Sequence, residues 1–471
     1  MKVLLVNPPF EQEVESVGRS KSVRHVLNII PPLGITYIAA VLEKINVDVK
    51  MIDCAIGISY EEVFKMILKE SADVIGITST TPAFVNAKKV ASFIRSKLPG
   101  TKIIIGGAQV SALPRETMET GLFDIGILGE GELIVEKLLR SYKDNEFKEL
   151  DKINGITYLS ENGIHQNVSQ EFIDDLDSIP LPARHLLPHP IVYQPTPASC
   201  RRVPYAVMIT SRGCPAQCTF CDRKIFGERY RMRSTDNIFE EIEEVVTKYG
   251  VREIRFFDDT FTVKKKRVYE ICDEFERRKL NVIWTCLTKV VNVDGPMLKR
   301  MKEAGCWQVL YGLESGDDRM LKLLRKGNTV EKNKRAIRLA KEAGLEVRGD
   351  FIVGTPGETW ESLEKTVQFA VDMKLDYAHF NKFSPLPGSE LHRQLVGQGY
   401  KFDFSKSSTL DHSEVLYMNP DMDKDEFSKF LDKANKRFYL RPGYILKRFF
   451  SIRSFYQLKG QMYGFLAIFN L

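Results

Sequence analysis

Thr210-Ser211-Arg212-Gly213-Cys214-Pro215-Ala216-Gln217-Cys218-Thr219-Phe220-Cys221 is the stretch that decides how this chain is read. Its three cysteines have C-x3-C-x2-C spacing, and the third directly follows a phenylalanine. The apolar run Tyr205 to Ile209 predicts a short buried strand just before them. Soft sulfurs this close in one loop can grip a single iron or zinc centre. A structural zinc site closes with four ligands in paired C-x2-C or C/H patterns, and the nearest flanking cysteines are distant, at Cys200 and Cys272. A redox C-x-x-C pair would leave Cys214 without a role. The ligand rules therefore favour an iron–sulfur cluster with one iron that no protein sulfur holds, an open position where a small molecule can coordinate and react.

The loop resembles the cluster signature of the radical S-adenosylmethionine (SAM) superfamily, in the variant that ends in aromatic-Cys. That resemblance implies a [4Fe–4S] cluster on Cys214, Cys218 and Cys221, with Phe220 beside it. The free iron would take the amino and carboxylate groups of SAM.

Working outward, 471 residues suggest about three domains, and 43% apolar with 28% charged residues is ordinary globular composition. The net charge of +6 is mild and spread out, a weak argument for an anionic partner. Eight cysteines, three of them clustered, read as metal binding in a reducing compartment rather than a disulfide framework. The N-terminal run Met1 to Val6 is too short for a signal peptide and stops at Asn7-Pro8-Pro9. No stretch approaches a membrane span. The expected location is the cytoplasm.

Over residues 1–150, short apolar runs at 3–6, 49–52, 74–78, 103–105 and 125–128 alternate with helical patterns near 34–44, 61–69, 87–97 and 133–142. Five strands alternating with helices predict a doubly wound, Rossmann-like parallel sheet, whose ligand lies at the carboxyl ends of the strands. Unusual residues collect at that edge: Pro32-Leu33-Gly34, Thr78-Ser79-Thr80, Gly106-Gly107 with Gln109, and Gly129-Glu130-Gly131-Glu132. Glycines there let a large ligand approach the backbone, and the hydroxyls can bond a phosphate or amide. No G-x-G-x-x-G follows the first strand, so a dinucleotide is poorly supported. The arrangement is similar to the cobalamin-binding domain that precedes the radical SAM domain in one branch of that superfamily. The resemblance implies cobalamin held by these residues, and by no histidine, because the Asp-x-His-x-x-Gly motif is absent.

Residues 151–200 read as a linker, with a small hairpin near 156–163 and a proline-punctuated connector. His185 and His189 lie in it, and a linker histidine is ordinarily solvated, so neither is assigned to a metal. Over residues 201–395 the alternation resumes, with strands at 253–257, 282–286, 308–312, 346–353 and 376–383. With the strand before the cysteines these make six units, an open (β/α)6 partial barrel with its site at the carboxyl ends. By resemblance, Asp258 and Asp259 meet the SAM amine, Glu314 and Asp350 its ribose, and Lys326 its carboxylate. The backbone from Ile352 through Gly354 to Thr355 would meet the adenine. Cys54, Cys272, Cys286 and Cys306 are expected to be buried packing residues.

Residues 396–471 turn helical and basic with interleaved Phe and Tyr. They permit a peripheral membrane or lipid contact, and equally a helical cap over the barrel mouth, the preferred expectation. Taken together, the resemblance implies an enzyme that cleaves SAM reductively at the cluster and methylates an unactivated carbon of a small-molecule or lipid substrate by way of cobalamin. An external flavodoxin- or ferredoxin-type protein would supply the electron, and no nucleic-acid partner is expected. The near alternative is ring closure or rearrangement, as in anaerobic porphyrin cyclases, which the chain also resembles. A non-catalytic cobalamin sensor is a more distant one.

Overall fold

Val3 to Val6 alternate sides along a buried strand: Val3 and Leu5 face one apolar layer, Leu4 and Val6 another. A strand apolar on both sides has to be covered by helices on both sides. That requirement sets the first half of the molecule. The structure is a computed structural model describing residues 1–9, 29–143, 146–169, 172–193, 195, 198–404, 415–452 and 455–470.

Its first sheet holds β1 (Lys2–Asn7), β2 (Asp48–Asp53), β3 (Val74–Thr78), β4 (Lys102–Gly106) and β5 (Ile125–Ile127), all parallel, in the order β2-β1-β3-β4-β5. Helices α1 (Leu33–Lys44), α2 (Tyr60–Glu70) and α3 (Phe84–Lys97) connect them, followed by the short α4 (Ala108–Ala112) and α5 (Pro114–Met118) and then α6 (Glu132–Arg140). Apolar residues of α1 and α6 cover one face, those of α2 and α3 the other. A two-residue hairpin, β6 (Tyr142–Lys143) and β7 (Glu146–Phe147), leads out.

The sheet is larger than expected. The hairpin β8 (Ile156–Ser160) and β9 (Gly163–Gln166), read from sequence as part of the linker, joins it edge-on, β8 pairing antiparallel with β5. The sheet therefore has seven strands, five of them parallel. The reason is local: β5 would otherwise present an unpaired edge, and buried Ile156 and Thr157 close it.

The second sheet is parallel throughout and open, in the order β10 (Tyr205–Met208), β13 (Glu253–Phe256), β14 (Ile283–Thr288), β15 (Cys306–Glu314), β16 (Glu346–Val353), β17 (Tyr377–Lys382). Between β10 and β13 lies a two-residue ladder, β11 (Ser211–Arg212) with β12 (Arg231–Met232). Helices α7 (Thr235–Tyr249), α8 (Lys265–Arg278), α9 (Gly295–Glu303), α10 (Asp318–Leu323), α11 (Val330–Glu342) and α12 (Trp360–Asp372) accompany this sheet, and α13 (Glu390–Gly397) follows it. In β16, Val347, Phe351 and Val353 pack in the helix-covered core, while Glu346, Arg348, Asp350 and Ile352 are only half-buried, on the alternate face. The four single cysteines assigned to packing, and Cys200, are all buried.

The C-terminal helices are α14 (Lys424–Tyr439), α15 (Pro442–Ser451) and α16 (Phe455–Asn470). The start of α14 reaches the barrel mouth, whereas α15 lies at the opposite end of the sheet. Phe427 of α14 touches the Gly354 loop at the carboxyl end of β16, but the Tyr439 hydroxyl, near the other end of α14, bonds Ala378 at the start of β17. Continuing that way, α15 anchors on Asp376 and Glu346, at the amino ends of β17 and β16. The ion pairs of Lys447 and Arg448 fix that placement.

Candidate functional site

The carboxyl ends of the two sheets face one another, and the cluster loop lies between them. Thr210 and Ser211 end the β10 segment by bonding the Asp258 carboxylate, which accepts the Thr210 N–H and both hydroxyls at 2.5–2.7 Å. Arg267 stands 3.6 Å away. Asp258 is thus fully buried and fully occupied, which corrects its assignment to the SAM amine. Asp259 is the exposed member of the pair. Its carboxyl accepts the N–H of Gly213, and its pKa is raised by desolvation and the neighbouring Asp258.

Gly213 turns the chain into the loop at φ +86°, where a Cβ would fall 2.3 Å from the Arg229 carbonyl oxygen. Only glycine fits that conformation and that approach. Main-chain bonds then pin the loop from three directions: Cys214 N–H to Gly227, Thr219 N–H to Leu324, and Leu391 N–H to Thr219. Cys218 is buried, Cys214 half-buried and Cys221 exposed as a residue. The Cys221 thiol nevertheless sits among enough protein to be pushed up to about 12, with the Cys218 charge adding to the effect and Lys326 opposing it. Burial also raises Cys218, which feels Lys326, Glu314 and Cys214. The three thiols therefore lie within electrostatic reach of one another.

A structural zinc site closes with four ligands, whereas a [4Fe–4S] cluster can be held by three thiolates, each on a different iron. All eight cysteines are free, and the other five are buried in packing. Three thiols and no fourth fit a [4Fe–4S] cluster with one iron unliganded by the protein.

Glu314 and Lys326 meet beside these thiols, Nζ to Oε1 at 2.5 Å, both nearly buried, with Lys326 over the Phe220 ring at 5.7 Å. Glu314 sits at φ +63°, just past a register shift in the β15–β16 pairing. A non-glycine residue held in that region marks strain of the kind found at functional sites. Ile352 and Phe220 pack in a cluster with Leu324, Phe383 and Tyr417. The Gly354–Glu358 turn is held by Asn419, which donates to Thr355 and accepts from Gly357. Buried Glu358 in that turn is raised to about 7 by desolvation.

Asp350 is the register partner of Gly312, whose Cβ position falls 2.5 Å from the Glu314 Oε1 and 2.7 Å from the Lys326 Nζ. Its carboxylate takes a two-pronged bond from Arg348 at 2.9 and 3.2 Å, and His379 stands 3.6 Å away. Burial and the Arg348 charge lower His379 to about 4, so its ring is neutral at physiological pH. Arg348 and His379 went unnoticed in the sequence, although Arg348 sits two residues from Asp350 and so on its face of the strand.

A cavity of about 1010 Å³, partly open to solvent, lies at the carboxyl edge of the first sheet. Gly34, Thr78, Gly106, Gly107, Gly129 and Gly131 line it, as expected, and it runs inward over Val3, Leu5, Val74 and Ile104 towards α1 and α6. Gly107 is at φ +101°, with a Cβ position 2.7 Å from the Ser79 carbonyl oxygen. The opposite wall is made by Ile209, Arg212, Ile225 and Phe226 of the cluster-loop region, which sequence reasoning missed. A deep apolar slot under glycine-rich strand ends fits a large planar cofactor with a long tail. Among the described residues no histidine lines it.

Five residues assigned to cobalamin are not among those lining this cavity. Leu33 is packed against Tyr193, Cys200, Tyr205 and Val207, and Pro32 precedes α1 outside the cavity lining. The Ser79 hydroxyl bonds Thr80, Thr80 is exposed, and the buried Gln109 amide turns to Thr117. The carboxylates of Glu130 and Glu132, although at the cavity, are taken by arginines. Arg212 bridges Glu130 at 2.9 Å and Glu132 at 2.6 Å, while Arg231 meets the other Glu130 oxygen at 2.7 Å. Arg212 and Arg231 are direct partners across the β11–β12 ladder. Two like charges there would repel, and the two carboxylates Glu130 and Glu132 offset them. The correction is to their role: they tie the cavity edge to the cluster loop.

Comparison with known proteins agrees with this geometry. Residues 20–139 match the B12 binding domain family and residues 208–370 the Radical SAM superfamily. A Pyrococcus horikoshii protein named an uncharacterized methyltransferase is 33% identical over 474 residues, spanning 100% of this chain and 99% of its own length. The anaerobic magnesium-protoporphyrin IX monomethyl ester cyclase of Rubrivivax gelatinosus is 29% identical over 453 residues, covering 94% of this chain and 78% of its own. In fold, the chain is similar to the radical SAM methyltransferase TsrM of Kitasatospora setae, solved with cobalamin and a [4Fe–4S] cluster bound: TM-score 0.68 and 17% identity, over 91% of this chain and 85% of that one. The chain belongs to the cobalamin-dependent radical SAM family, enzymes whose cofactors are a [4Fe–4S] cluster, SAM and cobalamin.

Proposed function

We propose that this enzyme methylates an unactivated carbon of a small-molecule or lipid substrate. The observation that carries the reading is the shared cavity wall: glycine-rich strand ends of the first sheet face Ile209, Arg212, Ile225 and Phe226 next to the three cysteines. In a methyl transfer both cofactors have to reach one substrate carbon, and a cavity walled by the cluster-loop region would bring them close.

Cys214, Cys218 and Cys221 would hold the cluster, and Lys326, once drawn from Glu314, would meet the SAM carboxylate. Asp259 is the open carboxyl for the SAM amine. Gly106, Gly107 and Gly129 would let cobalamin lie against the backbone. When bound, these groups supply SAM cleavage and methyl transfer, chemistry that no side chain provides. The chain contributes position and dryness. Phe220, Ile352, Phe383 and Tyr417 exclude water on one side of the loop. Arg348 and Asp350, with the neutral His379, offer a charged donor, an acceptor and an uncharged ring with which to orient substrate. A flavodoxin- or ferredoxin-type donor would deliver the electron. A cytoplasmic setting suits eight free cysteines.

The similarity to anaerobic cyclases favours one second reading, ring closure. Anaerobic turnover with methyl-labelled SAM, on metabolite extracts from cells lacking the protein, separates the two. Label in a new product supports methylation. A new product without label, formed with 5′-deoxyadenosine, supports cyclisation.

A further inference from the structure

The amino ends of the second sheet, opposite the cofactor edge, carry an unusual surface. Arg448 is buried against Asp376, Glu346 and Tyr377, and Lys447 pairs with Asp376, so one side of α15 is fixed to the protein. The rest of α15 points large apolar groups at water: Leu446 is 57% exposed and Phe449 66%. Helix α16 does the same with Leu458, Met462 (55% exposed) and Leu466. Scattered exposed apolar residues are ordinary, but several large ones exposed on each of two successive helices mark an interaction surface.

Charge says what kind. From Lys433 to Leu471 there are eight lysines and arginines and no aspartate or glutamate. Beside α16 opens a basin of about 1200 Å³, lined by Arg201, Arg202, Arg252, Lys302, Trp307 and Tyr456, with no carboxylate among the described residues of its lining. Arg201 is engaged with Glu346 and stacked on Trp307. Arg252 and Lys302 pair with no acid among the described residues. A second copy of the chain would bring this basic face against itself, and juxtaposed like charges oppose that. Apolar helix faces beside unpaired cations instead suit an interfacial helix on an anionic bilayer. Among the described residues no helix is long and apolar enough to cross one.

We propose that this face, formed by α15, α16 and the basin, docks on an anionic phospholipid surface, the apolar side chains entering the interface and the basin receiving a headgroup phosphate. The inference is independent of the methylation reading. Docking leaves the cofactor edges free, because they lie at the other ends of the same strands.

The test is anaerobic co-sedimentation of the full chain with vesicles of phosphatidylglycerol and phosphatidylcholine, against phosphatidylcholine alone. Binding to the anionic vesicles, weakened by salt, is expected. Each basin cation contributes about fivefold, so R252Q/K302Q should bind roughly 25-fold more weakly, and L446E/F449E should not bind. Both variants should keep wild-type SAM cleavage. No partition to anionic vesicles, or equal partition to neutral ones, overturns the proposal. So does a dimer in sedimentation velocity that L446E/F449E abolishes, which would give the face to a second copy. Loss of vesicle binding in millimolar glycerol phosphate at constant ionic strength would assign the basin to a soluble phosphate ligand and overturn the headgroup assignment.

Discussion

Replacing Arg212 by methionine should loosen the joint between the two sheets by a predictable amount. The Arg212 side chain is 7% exposed, and its partners Glu130 and Glu132 are as buried or more so. Glu130 would keep Arg231 at 2.7 Å and the Ile173 N–H at 2.8 Å. Glu132 would lose its one ion-pair partner among the described residues. Breaking a buried pair costs about 3–5 kcal/mol. Glu132 opens α6, and a carboxylate in a first helical turn recovers about 1 kcal/mol from the helix dipole. The net expectation is a loss of about 2–4 kcal/mol. R212M/E132L removes both charges, and such replacements are often neutral, so the double variant should regain most of the loss. Urea unfolding of the apo-protein is the assay, since urea leaves ion pairs unscreened. Trp284, Trp307 and Trp360 all lie in the second half, so their fluorescence reports on the cluster-loop side of the joint. If E132L adds its own penalty to that of R212M, the bridge to Glu132 is not what stabilises the joint.

Three further outcomes follow from single positions. Glu358, at 6% exposure, is raised from 4.5 to about 7; an acid whose folded pKa is raised favours the folded state while protonated, so its stabilising share is full below about 4.5 and lost as pH rises through about 7. E358Q should therefore match the wild type near pH 4.5 and exceed it by up to about 3 kcal/mol at pH 8, and parallel pH profiles of denaturation would contradict this. K326M removes a charge-assisted bond worth about 1.5–3 kcal/mol, so SAM should bind the reconstituted enzyme about 10- to 100-fold more weakly; an unchanged Kd in calorimetry would dismiss Lys326 as a SAM contact. G213A forces a Cβ to within 2.3 Å of a carbonyl oxygen at φ +86°, so iron retention after anaerobic desalting should fall while far-ultraviolet circular dichroism stays native, and full iron retention would show that the turn can relax.

Much of this was legible because the signals were periodic or clustered. Alternation of apolar strands with amphipathic helices carried both sheets, and the glycines that line the cavity were found because strand ends are where such sheets bind. The errors share a cause. Asp258, Glu130 and Glu132 were chosen for chemistry that needs a free carboxylate, yet each is committed to a partner tens of residues away, Thr210, Arg231 and Arg212 respectively. Residue type does not reveal whether its bonds are already spent. Gln109 and Ser79 sat beside the right glycines, but side chains there turn inward where the backbone faces the cavity. The edge hairpin and the path of α15 depended on tertiary contacts, Ile156 on β5 and Arg448 on Asp376, that local pattern does not encode.

The vacant iron corner is tested most directly by electron paramagnetic resonance of the reduced, anaerobically reconstituted enzyme with and without SAM. A [4Fe–4S] signal that shifts when SAM is added, and is lost together with its iron in C214A, C218A and C221A, is the predicted result. A cluster whose spectrum ignores saturating SAM, or iron that survives removal of these cysteines, would contradict the account.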